Sequence, residues 1–309
     1  MEGHEVGPVW GADAPDPDLR LPEPTGAGRL VLLAYRPWVG SAIAVDPHAG
    51  RVALVTPASV LLGALPDLGR GHSLPMAGVR GVAFAPGHRT LVATLEQGVV
   101  AMPLDRPRGS APSLRLRTPG QVAAAVSPGG SLLALTGRVA RPRATLGVWD
   151  IERGVRAWTA AVFGAATVVW VDGHLLATAG RDLRLFSHAG EALPAAAAPR
   201  GEPIEAIACG PAGLVTGGRG TVATLWDPGL VAAIATLPVP AGASKTLALD
   251  ERTLAVGTVR AGGAVALVDL ARRTIDRTLL GVRAAAFAGP WLVVTGRAGT
   301  ATFLWEPDG

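Results

Sequence analysis

Residues 214–227 read LVTGGRGTVATLWD: two short apolar runs around a Gly-rich tetrapeptide, the first closing on Thr216 and the second on Trp226-Asp227. Both runs alternate and favour β-branched residues, which predicts two strands joined by a tight turn. The pattern returns at 293–306 as VVTGRAGTATFLWE. It returns again at 132–150, where LLALT leads through GRVARPRAT into LGVWD.

Outward from these pairs, an upstream strand and turn also recur. The turns include VDPHAGR at Val45, FAPGHR at Phe84, VSPGGS at Val126, CGPAG at Cys209 and FAGPW at Phe287. The strands entering them begin near Ile43, Val82, Ala123, Thr167, Glu205, Thr246 and Ala284, at intervals of 38–44 residues. The strands leaving them end at Thr56, Thr94, Thr136, Thr178, Thr216, Thr258 and Thr295. A fixed period near 40 residues is the mark of a repeat architecture. Fourth strands follow in several units, as VRAWTAAV after Asp150 and TIDRTLLG after Asp269, but the seventh unit stops at Trp305-Glu306. The segment RLVLLAYRPWV, Arg29 to Val39, belongs to no other unit and is the candidate to supply the missing strand. A row of four-stranded sheets leaves two bare ends, and closing it into a ring buries both. The expectation is an all-β, seven-bladed β-propeller of four-stranded antiparallel blades, latched by an N-terminal strand that completes the last blade.

Composition agrees with many short elements. The chain of 309 residues is 49% hydrophobic, enough for a core, and has 41 Gly and 26 Pro to punctuate strands. Residues 1–28 carry five Pro among acids and glycines without periodicity, and read as an extended or disordered arm before a propeller domain at 29–309. The first residues lack the basic start and apolar centre of a signal peptide, and no run of apolar residues predicts a membrane span, so the expectation is a cytoplasmic protein. A single cysteine, Cys209, excludes an intramolecular disulfide and a thiolate metal cluster. Net charge is modest at +4, and all but one of the 28 bases are Arg, Lys245 being the exception.

The pitch, the FxPxG-like turns and the Trp-acid ends of the third strands resemble WD-repeat propellers, over roughly Arg29 to Trp305. The family's Gly-His dipeptide is essentially absent, with Gly201-Glu202 in its place in blade five, and its turn Asp is Gly220 and Gly299 here. Residues 264–281, AVALVDLARRTIDRTLLG, are similar to YVTN-type repeats of lactonase-like and surface propellers. The resemblance implies a fold whose turns between second and third strands share a rim with the approaches to the first strands.

Trp149, Asp150, Trp226, Asp227 and Trp305 read as structural. One register repeated in several blades is what packing between blades and turn capping require, whereas catalysis needs one unique constellation. The histidines lie in turns or loops spread around a wide ring and offer no shared metal site at about 2 Å. No phosphate loop, HExxH spacing or Ser-His-Asp set occurs. The most informative set lies in the turns after the second strands, where Arg138, Arg181, Arg219, Arg260 and Arg297 recur, with Arg141 and Arg143 added in blade three. Blades one and two carry Ala58 and Glu96 instead. Together with Trp38 beside an adjoining loop, these Arg residues predict a basic arc that attracts acidic groups.

The function expected from the sequence is a non-catalytic, cofactor-free and metal-free scaffold, monomeric by itself, that binds a protein partner, an acidic one, through one face. The alternatives are a lactonase-like or YVTN-type propeller enzyme, and polyanion binding by the Arg-rich face. Few aromatics flank the Arg residues, which disfavours stacking on single-stranded nucleic acid.

Overall fold

A computed structural model describes residues 29–306 except 47–48, 70, 86–89, 106–111, 118–120, 138–144, 163–164, 172–173, 180–181, 195–203, 219, 228–231, 241–243, 259–262 and 297–298. The arm expected at 1–28 lies outside the described residues. The described chain forms 28 strands in seven four-stranded antiparallel sheets, and no helix occurs among the described residues.

Each sheet is one blade of a propeller. The inner strands are β2 (Ala42–Asp46), β6 (Val79–Ala85), β10 (Gln121–Val126), β14 (Ala165–Val171), β18 (Ile204–Gly210), β22 (Ser244–Leu249) and β26 (Val282–Ala288). Second strands are β3 (Arg51–Val55), β7 (Thr90–Leu95), β11 (Leu132–Gly137), β15 (His174–Ala179), β19 (Gly213–Gly218), β23 (Thr253–Thr258) and β27 (Trp291–Gly296). Third strands are β4 (Ser59–Ala64), β8 (Gly98–Pro103), β12 (Thr145–Asp150), β16 (Asp182–Phe186), β20 (Val222–Trp226), β24 (Ala264–Asp269) and β28 (Thr300–Glu306). Outer strands are β5 (His72–Pro75), β9 (Leu114–Arg117), β13 (Val155–Ala161), β17 (Ala192–Leu193), β21 (Ala233–Pro238), β25 (Thr274–Leu280) and, for the seventh blade, β1 (Arg29–Arg36). His72, expected in a loop, opens β5.

The seventh sheet has the order β1-β28-β27-β26, so the N-terminal strand completes the last blade. Arg29 pairs with Glu306 and Arg36 with Thr300. Each inner strand lies beside the inner strands of both neighbouring blades, and β2 meets β26, which closes the ring.

Period-2 alternation explains where the core lies. Each sheet presents apolar residues on both faces, and the buried clusters fall at the seven junctions between blades. Val55, Leu62, Phe84 and Leu91 join blades one and two; Leu214, Trp226, Val171 and Leu183 join blades five and four. Leu30, Phe303 and Trp305 of blade seven pack on Leu267 and Leu279 of blade six. At the closing junction, Val293 and Ala34 of blade seven meet Val52, Ile43 and Leu68 of blade one. Burying two faces per sheet this way is worth about 25 cal/mol per Å² of apolar surface removed from water. That gain makes the ring stable without a single central core.

Candidate functional site

A propeller has two rims. The turns between second and third strands, with the connections that lead into inner strands, form the first; the turns between first and second strands form the second.

The inner strands are irregular at the first rim. In blades two to seven the pairing of first and second strand slips at the same place. Val79 pairs with Leu95 but Gly81 with Thr94, leaving Arg80 as an extra residue. The same slip leaves Val122 in blade three, Ala166 and Thr167 opposite one residue in blade four, Glu205 in blade five, Lys245 in blade six and Arg283 in blade seven. A β-bulge sharpens the twist and re-aims a side chain, and bulges gather at barrel rims beside binding sites. Here the bulges place residues outside the regular strand register at the first-rim ends of the inner strands. Arg80 and Arg283 are exposed, and Thr167 and Glu205 half-buried. The bulge residues thus comprise three bases and one acid.

In blade two the threonine that closes the second strand helps to hold this geometry. Thr94 Oγ1 donates to the Gly81 carbonyl at 3.1 Å, beside the bulge. Arg80 is paired with Glu96 in the turn leading to the third strand, and both side chains are largely exposed, 66% and 63%. Such a surface pair contributes little to stability and exchanges readily, so Arg80 remains available to another carboxylate.

Of the residues expected to form the basic arc, Arg138, Arg141, Arg143, Arg181, Arg219, Arg260 and Arg297 lie outside the described residues. The strands they connect, such as β19 with β20 and β27 with β28, end on the bulged rim. Trp38, in the link from β1 to β2, is half-buried and belongs to the apolar cluster at the closing junction. Its carbonyl accepts from Thr300 Oγ1 at 2.6 Å, while Thr295 Oγ1 accepts from the Gly40 N–H at 3.1 Å. The two Thr hydroxyls lie 3.0 Å apart in a shared hydrogen bond. Trp38 therefore helps to close the ring beside the rim.

The Trp-acid pairs sit toward the second rim. Trp226 is buried and donates from Nε1 to Thr216 Oγ1 at 2.9 Å. Trp305 is buried and donates to Thr253 Oγ1 of blade six at 2.8 Å. Trp149, half-buried, lies over Gly147 in the cluster joining blades two and three. Asp150 accepts from the Arg153 N–H at 2.8 Å and Asp227 from the Ala232 N–H at 2.6 Å, each capping the turn after its strand. Asp269 does the same with Arg272 at 2.6 Å. These carboxylates are committed to backbone donors. On the same rim, burial holds the Asp250 carboxyl above the ordinary aspartate range, partly offset by a hydrogen bond from the Glu251 backbone. Among the described residues no three His, Cys, Asp or Glu side chains group as metal ligands.

Nothing in the sequence pattern singles out Arg80, Lys245 and Arg283. Arg80 precedes Gly81, Lys245 precedes Thr246 and Arg283 precedes Ala284, so each looks like an ordinary residue at the start of its strand. No helix among the described residues is long and apolar enough to cross a membrane. No protein-family model matches the chain, and no curated protein matches it.

Proposed function

We propose that this chain is a non-catalytic, monomeric and cytoplasmic WD-repeat-like scaffold whose first rim binds an acidic segment of a protein partner. The observation that supports this reading is the bulge repeated at one register in six blades, with bases at three of those positions. Packing alone gives no reason to place bases at three of the bulge positions of this rim. Converging guanidinium groups recognise carboxylates through paired, charge-assisted hydrogen bonds. The Arg-rich turns that join the second and third strands add to the same field. Against an enzyme stands the use made of the conspicuous acids, since Asp150, Asp227 and Asp269 cap turns.

The test is titration with a synthetic Asp/Glu-rich peptide and, separately, a random single-stranded oligonucleotide, each followed by fluorescence anisotropy. Peptide binding that weakens about tenfold or more in Arg80→Glu/Arg283→Glu supports the reading, since charge reversal at a recognised carboxylate costs more than about 1.4 kcal/mol. Peptide binding that is absent, or unchanged in the variant, overturns it. Tighter binding of the oligonucleotide with a steep salt slope would replace it with polyanion binding.

A further inference from the structure

Among the described residues, two side chains other than glycine sit on a left-handed backbone, Leu68 at φ +54° and Arg273 at φ +58°. A Cβ is crowded there by its own backbone, so the surroundings must offset the cost. For Leu68 packing does so, because it is fully buried in the cluster that joins blades seven and one. Arg273 has no such compensation. It is exposed, and its side chain makes no hydrogen bond or ion pair among the described residues. Its N–H donates to the Asp269 carbonyl at 2.9 Å, just as the Gly154 N–H donates to the Asp150 carbonyl at 3.0 Å in the matching turn of blade three. The turn closes equally well on glycine, yet blade six carries arginine. Strain that packing does not explain points to a use at the surface.

Charge and apolar surface both gather around this strained residue, on the second rim. In the other six blades an exposed or half-buried acid stands at or just after the end of the third strand: Asp67, Asp105, Glu152, Glu191, Asp227 and Glu306. Blade six has only Asp269 there, which is buried and accepts from the Arg272 N–H at 2.6 Å. Its turn therefore presents Arg272 and Arg273, both exposed, with no exposed acid between them and the strand. Arg252, exposed beside Glu251 in the adjoining turn, is held close because its carbonyl accepts from the Leu270 N–H at 2.9 Å. Ile275, two residues past Arg273, is 38% exposed, and Ile234 is 54% exposed. Ile234 lies on β21 of blade five, which runs beside β25. Both isoleucines stand at the second-rim ends of their strands, where the pairing slips: Ile234 is the extra residue between Ala233 and Ala235, and Ile275 precedes the extra residue Asp276.

We propose that this patch is a second docking surface, on the second rim at blades five and six, for a protein segment that carries carboxylates next to an apolar side chain. Arg272 and Arg273 receive the carboxylates, and Ile275 and Ile234 receive the apolar residue. Guanidinium groups bind carboxylates through paired, charge-assisted hydrogen bonds. The exposed isoleucines favour a protein segment over a nucleic acid, whose binding is dominated by its phosphate backbone. The strain at Arg273 is then the cost of holding a base where the matching turn of blade three needs only glycine. The proposal does not rest on the first rim, and with both rims occupied the propeller would bridge two segments.

The experiment uses the full chain and a synthetic peptide of alternating Glu and Leu, followed by fluorescence anisotropy. Arg273→Gly relieves the backbone strain, so it should raise the thermal unfolding midpoint and still weaken binding of the peptide. Arg272→Ser/Arg273→Gly should weaken binding about fivefold or more, since two exposed charge pairs are lost, each worth up to about fivefold. Ile275→Ser removes no charge and should weaken binding about threefold or more. Parent-like affinity in Arg272→Ser/Arg273→Gly, or no binding to the parent, overturns the proposal. So does tighter, Arg273-dependent binding to vesicles of phosphatidylserine and phosphatidylcholine than to the peptide, which would make the patch a membrane contact. Arg80→Glu/Arg283→Glu separates the two rims. Binding lost in that variant alone overturns this proposal and keeps the proposed function; binding lost in the second-rim variant alone does the reverse. Partial loss in each supports both surfaces.

Discussion

Trp305 Nε1 donates to Thr253 Oγ1 at 2.8 Å, which ties the third strand of blade seven to the second strand of blade six. Both partners are buried, at 3% and 1% exposure. Trp305→Phe strands the Thr253 hydroxyl and is expected to cost about 1–3 kcal/mol in chemical denaturation. Adding Thr253→Val to the Trp305→Phe variant should recover part of that loss, because a matched apolar pair has no donor left unpaired. A double variant as unstable as the sum of the two singles would contradict the bond's importance.

Thr216 and Thr136 both lie near the end of a second strand, in blades five and three, yet removing their hydroxyls should act in opposite directions. Thr216 Oγ1 receives the Trp226 indole, so Thr216→Val should destabilise by about 1–3 kcal/mol. Thr136 is fully buried, and its Oγ1 has no hydrogen-bond partner among the described residues. Thr136→Val should be neutral or stabilising, by up to about 1 kcal/mol. Denaturation midpoints for the two variants check the contrast.

The turns after Asp150 and Asp269 share one geometry, and their fifth residues are Gly154 at φ +68° and Arg273 at φ +58°. A side chain in this left-handed region costs about 1–2 kcal/mol, of which the greater backbone entropy of Gly takes back about 0.5–1. Arg273→Gly should therefore stabilise by about 0.5–1 kcal/mol. Gly154→Ala, measured the same way, should destabilise.

Closure by β1 is testable with two leucines of one strand. Leu30 is 3% exposed in the cluster joining blades six and seven, whereas Leu33 is 42% exposed. Leu30→Ala should cost about 2–5 kcal/mol, and Leu33→Ala should stay within about 0.5 kcal/mol of the parent. Equal, small effects would mean that β1 does not complete the seventh blade in solution.

Asp250 supplies a pH test. Burial raises its folded-state pKa, so the folded protein favours the neutral acid. The associated stability is fully present below the ordinary aspartate value, about pH 4, and is lost as pH rises through the raised one. Asp250→Asn keeps an acceptor for the Glu251 backbone and carries no charge. It should be more stable than the parent at pH 7, with the gain shrinking toward zero below about pH 4. Thermal unfolding at both pH values measures this.

Period and turn chemistry made the propeller legible in the sequence. The strands ending at Thr136, Thr216 and Thr295 and the unassigned run from Arg29 to Val39 carried enough pattern to give seven blades and their closure. The bulges were not legible, because an extra residue changes pairing without changing composition. Arg283 in VRAAAFA looks like an ordinary strand residue until Val282 and Ala284 are seen pairing with successive residues, Gly296 and Thr295. The partner of Trp305 was equally hidden. Strand register within a blade is local, but Thr253 lies 52 positions away in the neighbouring one.

The pairing of Arg29 with Glu306 has a mechanical consequence. Force applied between these two positions pulls on the same end of an antiparallel pair, so it breaks the β1–β28 rungs one after another and never loads them together. The closed ring is thus weakest against tension at its own seam. Single-molecule stretching from residues 29 and 306 should peel β1 at low force before any blade opens. Stretching between two positions on opposite ends of one strand pair should instead meet the whole ladder at once.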